Sequence, residues 1–144
     1  MLSYFSYQLL LVFAIFSFGC SSGPQPFAEG KDECAHCKMS ITDMRFACQL
    51  ETKKGKVYKF DDLRCMTAFV QEDKVSKADV KNYYVSDFLN KKKILNCSEA
   101  YFYFSAQFKS PMFGNIGAFS NQADLEKVKS TYNGNPILWK DVIK

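Results

Sequence analysis

Cys34-Ala35-His36-Cys37-Lys38-Met39 brings two thiols, an imidazole and a thioether into six residues. Two cysteines separated by two residues can turn their sulfurs to one side of a tight backbone knuckle. That geometry suits a soft metal ion or a redox disulfide. The thioether helps to discriminate, because zinc sites seldom use methionine whereas Cu(I) favours thiolate with thioether. By themselves these residues leave open a disulfide, a structural zinc knuckle, or a core methionine beside two buried cysteines.

Upstream of the knuckle, residues 21–31 contain Gly, Pro and Gln without hydrophobic periodicity and read as a flexible tether. Before it, residues 1–19 carry no charge, and the apolar run over 9–18 has the length of a signal-peptide core, short for a transmembrane span. The run ends in Ser17-Phe18-Gly19-Cys20-Ser21-Ser22-Gly23, which resembles a bacterial lipobox although Phe18 is bulky and Ser17 is not aliphatic. On this reading 1–19 is a signal peptide and Cys20 is the lipidated N-terminus. The mature protein is then held on a membrane outside the cytoplasm, in the bacterial periplasm, with inner and outer membrane both open. Setting Cys20 aside leaves Cys34, Cys37, Cys48, Cys65 and Cys97, an odd set that cannot pair completely within one chain. In an oxidising compartment this leans towards a functional sulfur.

The chain of 144 residues suits one compact unit or two very small subdomains, and fourteen Phe with eight Tyr can fill a core. The net charge of +4 comes from scattered lysines and arginines, and Lys91-Lys92-Lys93 is the one run of three. It reads as a solvated loop, and no nucleic-acid partner is expected.

Downstream of the knuckle, residues 46–51 and 57–60 read as a hairpin around Lys53-Lys54-Gly55-Lys56. Asp61 or Asp62 then caps a helix to about residue 72, with Leu63, Met66, Phe69 and Val70 on one face. That spacing makes Met66 a core residue. Cys65 lies in the first turn, where a sulfur facing the helix start would have a lowered pKa, although a buried structural thiol is the simpler reading. Residues 82–88 read as a strand, and 90–93 as a basic turn. Residues 101–108 read as another strand and 117–119 as a short one. Ser120 or Asn121 caps a helix to about residue 132, closed by Asn133-Gly134-Asn135 as a left-handed cap, and 137–139 form a last strand. Strand, strand, polar cap, helix, strand thus occurs twice, with Phe60-Asp61-Asp62 and Phe119-Ser120-Asn121 at equivalent corners. The expected class is α+β, built from two ββαβ units over 32–88 and 89–144, after a lipidated tether over 20–31. Met112 stands apart from both helix faces, between Pro111 and Phe113-Gly114 in a strand-breaking loop.

Taken together, these pieces resemble the NosL family of copper-chaperone lipoproteins, accessory to nitrous oxide reductase. The resemblance rests on Asp32-Glu33-Cys34-x-x-Cys37-x-Met39 with Ile41-Thr42-Asp43, on Phe60, and on Ser98-x-Ala100-Tyr101. It continues through Met112 with Gly114, Ala118-Phe119 and Asp124 to the Gly-containing turn before Ile137-Leu138-Trp139. The family usually has Gly where this chain has Lys38, and commonly a Gly-Gly turn where it has Gly134-Asn135.

The resemblance implies two ββαβ units similar to the organomercury lyase fold, and delivery of Cu(I) to nitrous oxide reductase or its copper transport machinery. It makes Cys34, Cys37 and Met39 the knuckle ligand candidates and Met112 the distal one. His36 and Cys65 are additional metal candidates on weaker grounds. No catalysis is expected. The alternatives are a structural zinc-binding interaction module, for example on Cys34, Cys37, His36 and Cys65, and a thiol–disulfide oxidoreductase. The second lacks the strand before and helix after its Cys-x-x-Cys that a thioredoxin-like site needs.

Overall fold

The computed structural model describes residues 22–144; the leader read over 1–19 and the lipidation candidate Cys20 lie outside them. The elements in chain order are β1 (Cys48–Thr52), β2 (Val57–Phe60), α1 (Leu63–Gln71), a 3₁₀ turn (Lys77–Asp79), β3 (Val80–Ser86) and β4 (Ile94–Asn96). There follow β5 (Tyr101–Phe104), β6 (Ile116–Phe119), α2 (Gln122–Lys129), β7 (Asn135–Ile137) and α3 (Trp139–Val142). They form two antiparallel sheets, ordered β2-β1-β3-β4 and β6-β5-β7. In each sheet a hairpin leads into a helix, and the next strand returns beside the hairpin's first strand. β4, which alternates too briefly to be read from the sequence, extends the first sheet only. Among the described residues, no helix is long and apolar enough to cross a membrane.

Local chemistry accounts for the helices. The Asp62 side chain accepts from Arg64 N at the start of α1, and Asn121 accepts from Asp124 N at the start of α2. Each satisfies an amide that has no partner within its helix. Leu63, Met66, Phe69 and Val70 are buried along α1, and Leu125 and Val128 along α2. The two halves share their cores. Phe102 and Ala118 of the second half pack with Leu50, Met66 and Val85 of the first. Phe46 and Phe88 of the first half pack with Phe108, Phe119 and Leu125 of the second. A parallel bridge between Asp87 and Ala118 ties the sheets together, with Phe88 N donating to Ala118 O at 2.8 Å.

The end of the chain differs from the expectation in two places. The last strand stops at Ile137, and Trp139 begins a single helical turn whose indole stacks on Phe102 with centroids 5.5 Å apart. Gly134 is not in the left-handed region expected of a cap. Its missing side chain matters for another reason, since a Cβ there would strike the Phe104 carbonyl of the neighbouring strand.

The largest difference is at the beginning. The described part of the segment over 21–31, which lacks periodicity and reads as a flexible tether, lies with Asp32 as a strap over 22–32 along the first sheet. Gln25 N donates to Gln49 Oε1 and Gln49 Nε2 donates to Gln25 O, both at 2.9 Å. Lys59 Nζ donates to Pro26 O, and Phe27 packs against the core. The strap explains why every residue of β1 is buried, including the polar Gln49 and Glu51.

Glu51 is the electrostatic centre of this contact. Its carboxylate accepts from Ser22 Oγ at 3.0 Å, Gly23 N at 3.2 Å, Lys81 Nζ and Asn82 Nδ2 at 3.3 Å, and the Tyr84 hydroxyl at 3.2 Å. Burial opposes its charge, but the donors from Asn82, Ser22, Lys81 and Tyr84 prevail and hold the carboxyl at about 2, below its ordinary 4.5. A depressed folded-state pKa contributes stability that is present above the unfolded value and is lost as pH falls through the folded one. Stability should therefore fall between pH 4.5 and about 2, and Glu51→Gln should lessen that fall. Chemical unfolding of both proteins across this range checks it; equal slopes would remove Glu51 from the acid response.

Candidate metal centre

The knuckle is a short hairpin closed by a bridge between Glu33 and Ser40. Within it Cys34 N donates to Met39 O at 2.8 Å and Lys38 N to Cys34 O at 3.0 Å. Ala35 N donates to Lys59 O at 2.8 Å, which docks the turn on the edge strand β2. Where β2 ends, the chain passes through Asp61 and Asp62 into α1. The corner therefore places Asp61 and the first turn of α1, with Cys65, beside the two knuckle cysteines.

One ligand atom from each of Cys34, Cys37, Asp61 and Cys65 lies within 4.8 Å of all the others. A tetrahedral ion with metal–sulfur bonds of about 2.3 Å needs its sulfurs about 3.8 Å apart. Small side-chain rotations would close the set around an ion. Cys34, Asp61 and Cys65 are buried and Cys37 is half-buried, so the set has one open side. Asp61 adds an independent sign of a ligand site. Cys37 Sγ donates to Asp61 Oδ2 at 3.4 Å, while Asp61 Oδ1 is buried without a hydrogen-bond partner. A buried carboxylate oxygen left so is costly unless something else meets it.

The three thiols divide their protons unequally. A hydrogen bond from Cys65, aided by the backbone amides of Cys37, Asp61 and His36 against the cost of burial, brings Cys34 down to about 6. Cys65 moves up because its proton is held by Cys34 and its surroundings are dry. Burial, together with the neighbouring Cys34 and Asp61, takes Cys37 up to about 11. The thiolate therefore sits on Cys34 at neutral pH, and Cys65 is its hydrogen-bond donor. Cys65 is buried, as the simpler reading of its position has it, and no lowering from the helix start occurs because its sulfur lies against another sulfur. Cys48 and Cys97 are buried thiols pushed up chiefly by burial, and they are outside the donor set.

Of the residues singled out in the sequence, Cys34, Cys37 and Cys65 come together. Met39 is half exposed on the knuckle. Met112 is partly buried against the core cluster that contains Cys34 and Cys65. Its loop is tied to the same corner, since Met112 N donates to Asp62 Oδ2 at 3.2 Å. His36 is not in the donor set. Its Nε2 lies 3.1 Å from Glu72 Oε1, and its Nδ1 is buried without a partner. Met66 is fully buried in the core, as its helical spacing predicts. Asp61 was overlooked as a ligand. The signal lay in the Asp61-Asp62 pair, because one aspartate suffices to cap a helix and the other is then free for another use.

Fold and site define a small α+β protein of two antiparallel sheets, with a thiol-rich candidate metal site at a strand-to-helix corner. The chain belongs to the NosL family, whose profile matches residues 26–144. It is similar to the crystal structure of the copper chaperone NosL from Shewanella denitrificans, with 27% identity and a TM-score of 0.66. That match covers 82% of this chain and 96% of the other. No curated protein matches the chain.

Lys38 sits at the turn of the knuckle. Its φ is 67°, in the left-handed region. A side chain there costs about 1–2 kcal/mol, part of which glycine returns as lost chain entropy. Lys38→Gly should stabilise the protein by about 0.5–1 kcal/mol net. Thermal unfolding of the metal-free protein checks this; a lowered Tm would mean that Lys38 supports the knuckle in some other way.

Proposed function

We infer that the protein is an extracytoplasmic Cu(I) carrier, lipidated at Cys20, that delivers copper to nitrous oxide reductase or its copper transport machinery. The observation that carries the reading is the pairing of Cys34 with half-buried Cys37 on the open side of the thiol cluster, in a chain of the NosL family. The similar Shewanella denitrificans protein is a copper chaperone. Delivery requires a site that keeps the ion from solution yet gives it up by ligand exchange. Buried Cys34 beside half-buried Cys37, with Met39 and Met112 as soft partners, would meet both needs. A thioether on a loop can leave first and let an incoming ligand attack. Such a carrier performs no catalysis, and the protein is not an enzyme. On this reading the paired ββαβ units make a fold similar to that of organomercury lyase.

A second reading has its own observation. Asp61 contributes a hard oxygen, and with Cys65 it makes a closed set of three sulfurs and one oxygen, which suits Zn(II) as well as a copper ion. The two readings differ in how many thiol protons the ion displaces. At neutral pH Cys34 is already ionised, whereas Cys37, at about 11, and Cys65 hold theirs. Binding through Cys34, Cys37 and the methionines releases one proton, and binding that also uses Cys65 releases two. Between pH 7 and 9 the logarithm of the apparent affinity should therefore rise with a slope of about one in the first case and about two in the second. Anaerobic competition against a chromophoric chelator, with Cu(I) and Zn(II) in turn, measures both slopes. A slope of zero for both ions would exclude Cys37 and Cys65 as ligands, since only they still hold protons in this range.

The methionines separate the readings further. Met112→Ala should fold normally, keep its Zn(II) affinity and bind Cu(I) about tenfold more weakly, some 1.4 kcal/mol. Met66→Ala should lose about 2–5 kcal/mol of stability with Cu(I) binding intact. Unchanged Cu(I) affinity in Met112→Ala would take Met112 out of the site.

A further inference from the structure

The strap over residues 22–32 runs the length of the first sheet, and its two ends meet different surroundings. Ser22 and Gly23 are bound to Glu51, the residue of β1 that precedes the β1–β2 turn by one position. The strap's far end, Asp32, enters the knuckle that carries Cys34 and Cys37, and there Lys59 Nζ donates to Asp32 Oδ2 at 2.8 Å. The strap thus starts at the turn end of the sheet and reaches the candidate metal centre at the other. From Val57, where β2 leaves the turn, to Asp61 at the site are four steps along the strand, about 13 Å at 3.3 Å per residue.

The turn end is rich in lysine. Lys53, Lys54 and Lys56 are exposed in the turn itself. Lys53 N donates to Asp79 O, which brings the 3₁₀ turn and exposed Lys77 to the same end. Lys81 joins Ser22 and Glu51 there. Glu51 is buried and already paired, which leaves Asp79 as the exposed acid among these residues. The lysines at the other end are differently placed: Lys91 has the charge of Asp43 near it and Lys93 that of Asp124.

We propose that the lysine-rimmed turn end of the first sheet rests on an anionic lipid surface, and that the docked strap holds the cysteine cluster at the pole facing away from it. The proposal rests on lipidation at Cys20. A lipid there is two residues from Ser22, at most about 7 Å of chain. Because Ser22 and Gly23 are bound to Glu51, no slack remains for the body to tumble on a long leash. The turn end is the part of the fold that such a lipid brings to the headgroups, and positive charge there complements anionic phospholipid. The metal pole is then presented to a partner approaching from solution or along the membrane. The strap acts as a fixed spacer of set length.

The test compares lysine reactivity in two forms of the full chain. Protein isolated from membranes, with its N-terminal lipid verified by mass, is placed in vesicles of phosphatidylethanolamine and phosphatidylglycerol. It is then briefly acetylated beside the soluble Cys20→Ser form. Lys53, Lys54 and Lys56 should be modified several-fold more slowly in vesicles, with Lys38 unchanged. Protection should weaken in vesicles of phosphatidylcholine alone. It should vanish when a Gly/Ser insert of about ten residues, with an r.m.s. reach of roughly 17 Å, is placed between Ser21 and Ser22. Uniform labelling of lipidated protein in vesicles, protection centred on Lys38, or protection that survives the insert would overturn the orientation. Equal protection on phosphatidylcholine would overturn the choice of an anionic surface. A Cys20 without lipid, seen directly in the mass, overturns the lipoprotein reading, and this proposal with it.

Discussion

The Asp62 carboxylate is the contact on which the arrangement of the site depends. One oxygen accepts from Arg64 N at 2.8 Å and starts α1. The other accepts from the Ser110 hydroxyl, and from Met112 N and Gly114 N, each at 3.2 Å. A single buried side chain thereby ends β2, begins the helix that carries Cys65, and holds the loop of the second half that carries Met112. Gly114 is required by the same contact, since a Cβ there would strike the carboxylate. Several directional hydrogen bonds converging on one buried side chain fix loop geometry more firmly than apolar packing would.

With Asp62 committed to structure, its neighbour Asp61 is released for chemistry. The backbone turn from strand to helix sends the two adjacent carboxylates to different environments, one among amide donors and one among sulfurs. The equivalent corner of the second half has Ser120 and Asn121, of which Asn121 caps its helix. It has no cysteine and no carboxylate at those positions. Two halves of the same topology therefore differ where it matters: one corner is a candidate metal centre and the other is a structural joint. The unequal protonation of the three thiols follows from the same geometry. Three sulfurs in one dry site cannot all be ionised without a cation, and the shared proton leaves Cys34 as the thiolate.

Much of this was legible in the chain. The polar turn at 53–56 between two apolar stretches marks the hairpin, and the 3.6 period marks both longer helices and the core role of Met66, because burial of one helix face imposes a repeat on the residues. The aspartate and asparagine before the helices mark their caps, since few side chains can satisfy the first amides. The spacing of Cys34 and Cys37 is legible for the same kind of reason: a two-residue gap alone brings their sulfurs to one side. The strap was hidden because its partners Gln49 and Glu51 are polar residues in a strand, and polar pairing leaves no periodic trace in either segment.

By itself, then, the sequence determined the first hairpin, the two longer helices, the repeated order of strands and helices, and a knuckle that brings two cysteines together, all of them consequences of neighbours along the chain. Only the tertiary structure decided that Cys65 and Asp61 complete the set, that His36 turns to Glu72, and that residues 22–32 are bound to the sheet. Those outcomes hang on the angle at which a strand hands over to a helix and on which buried polar groups find one another. Contacts between residues 24 to 50 positions apart set both, and no local pattern records them.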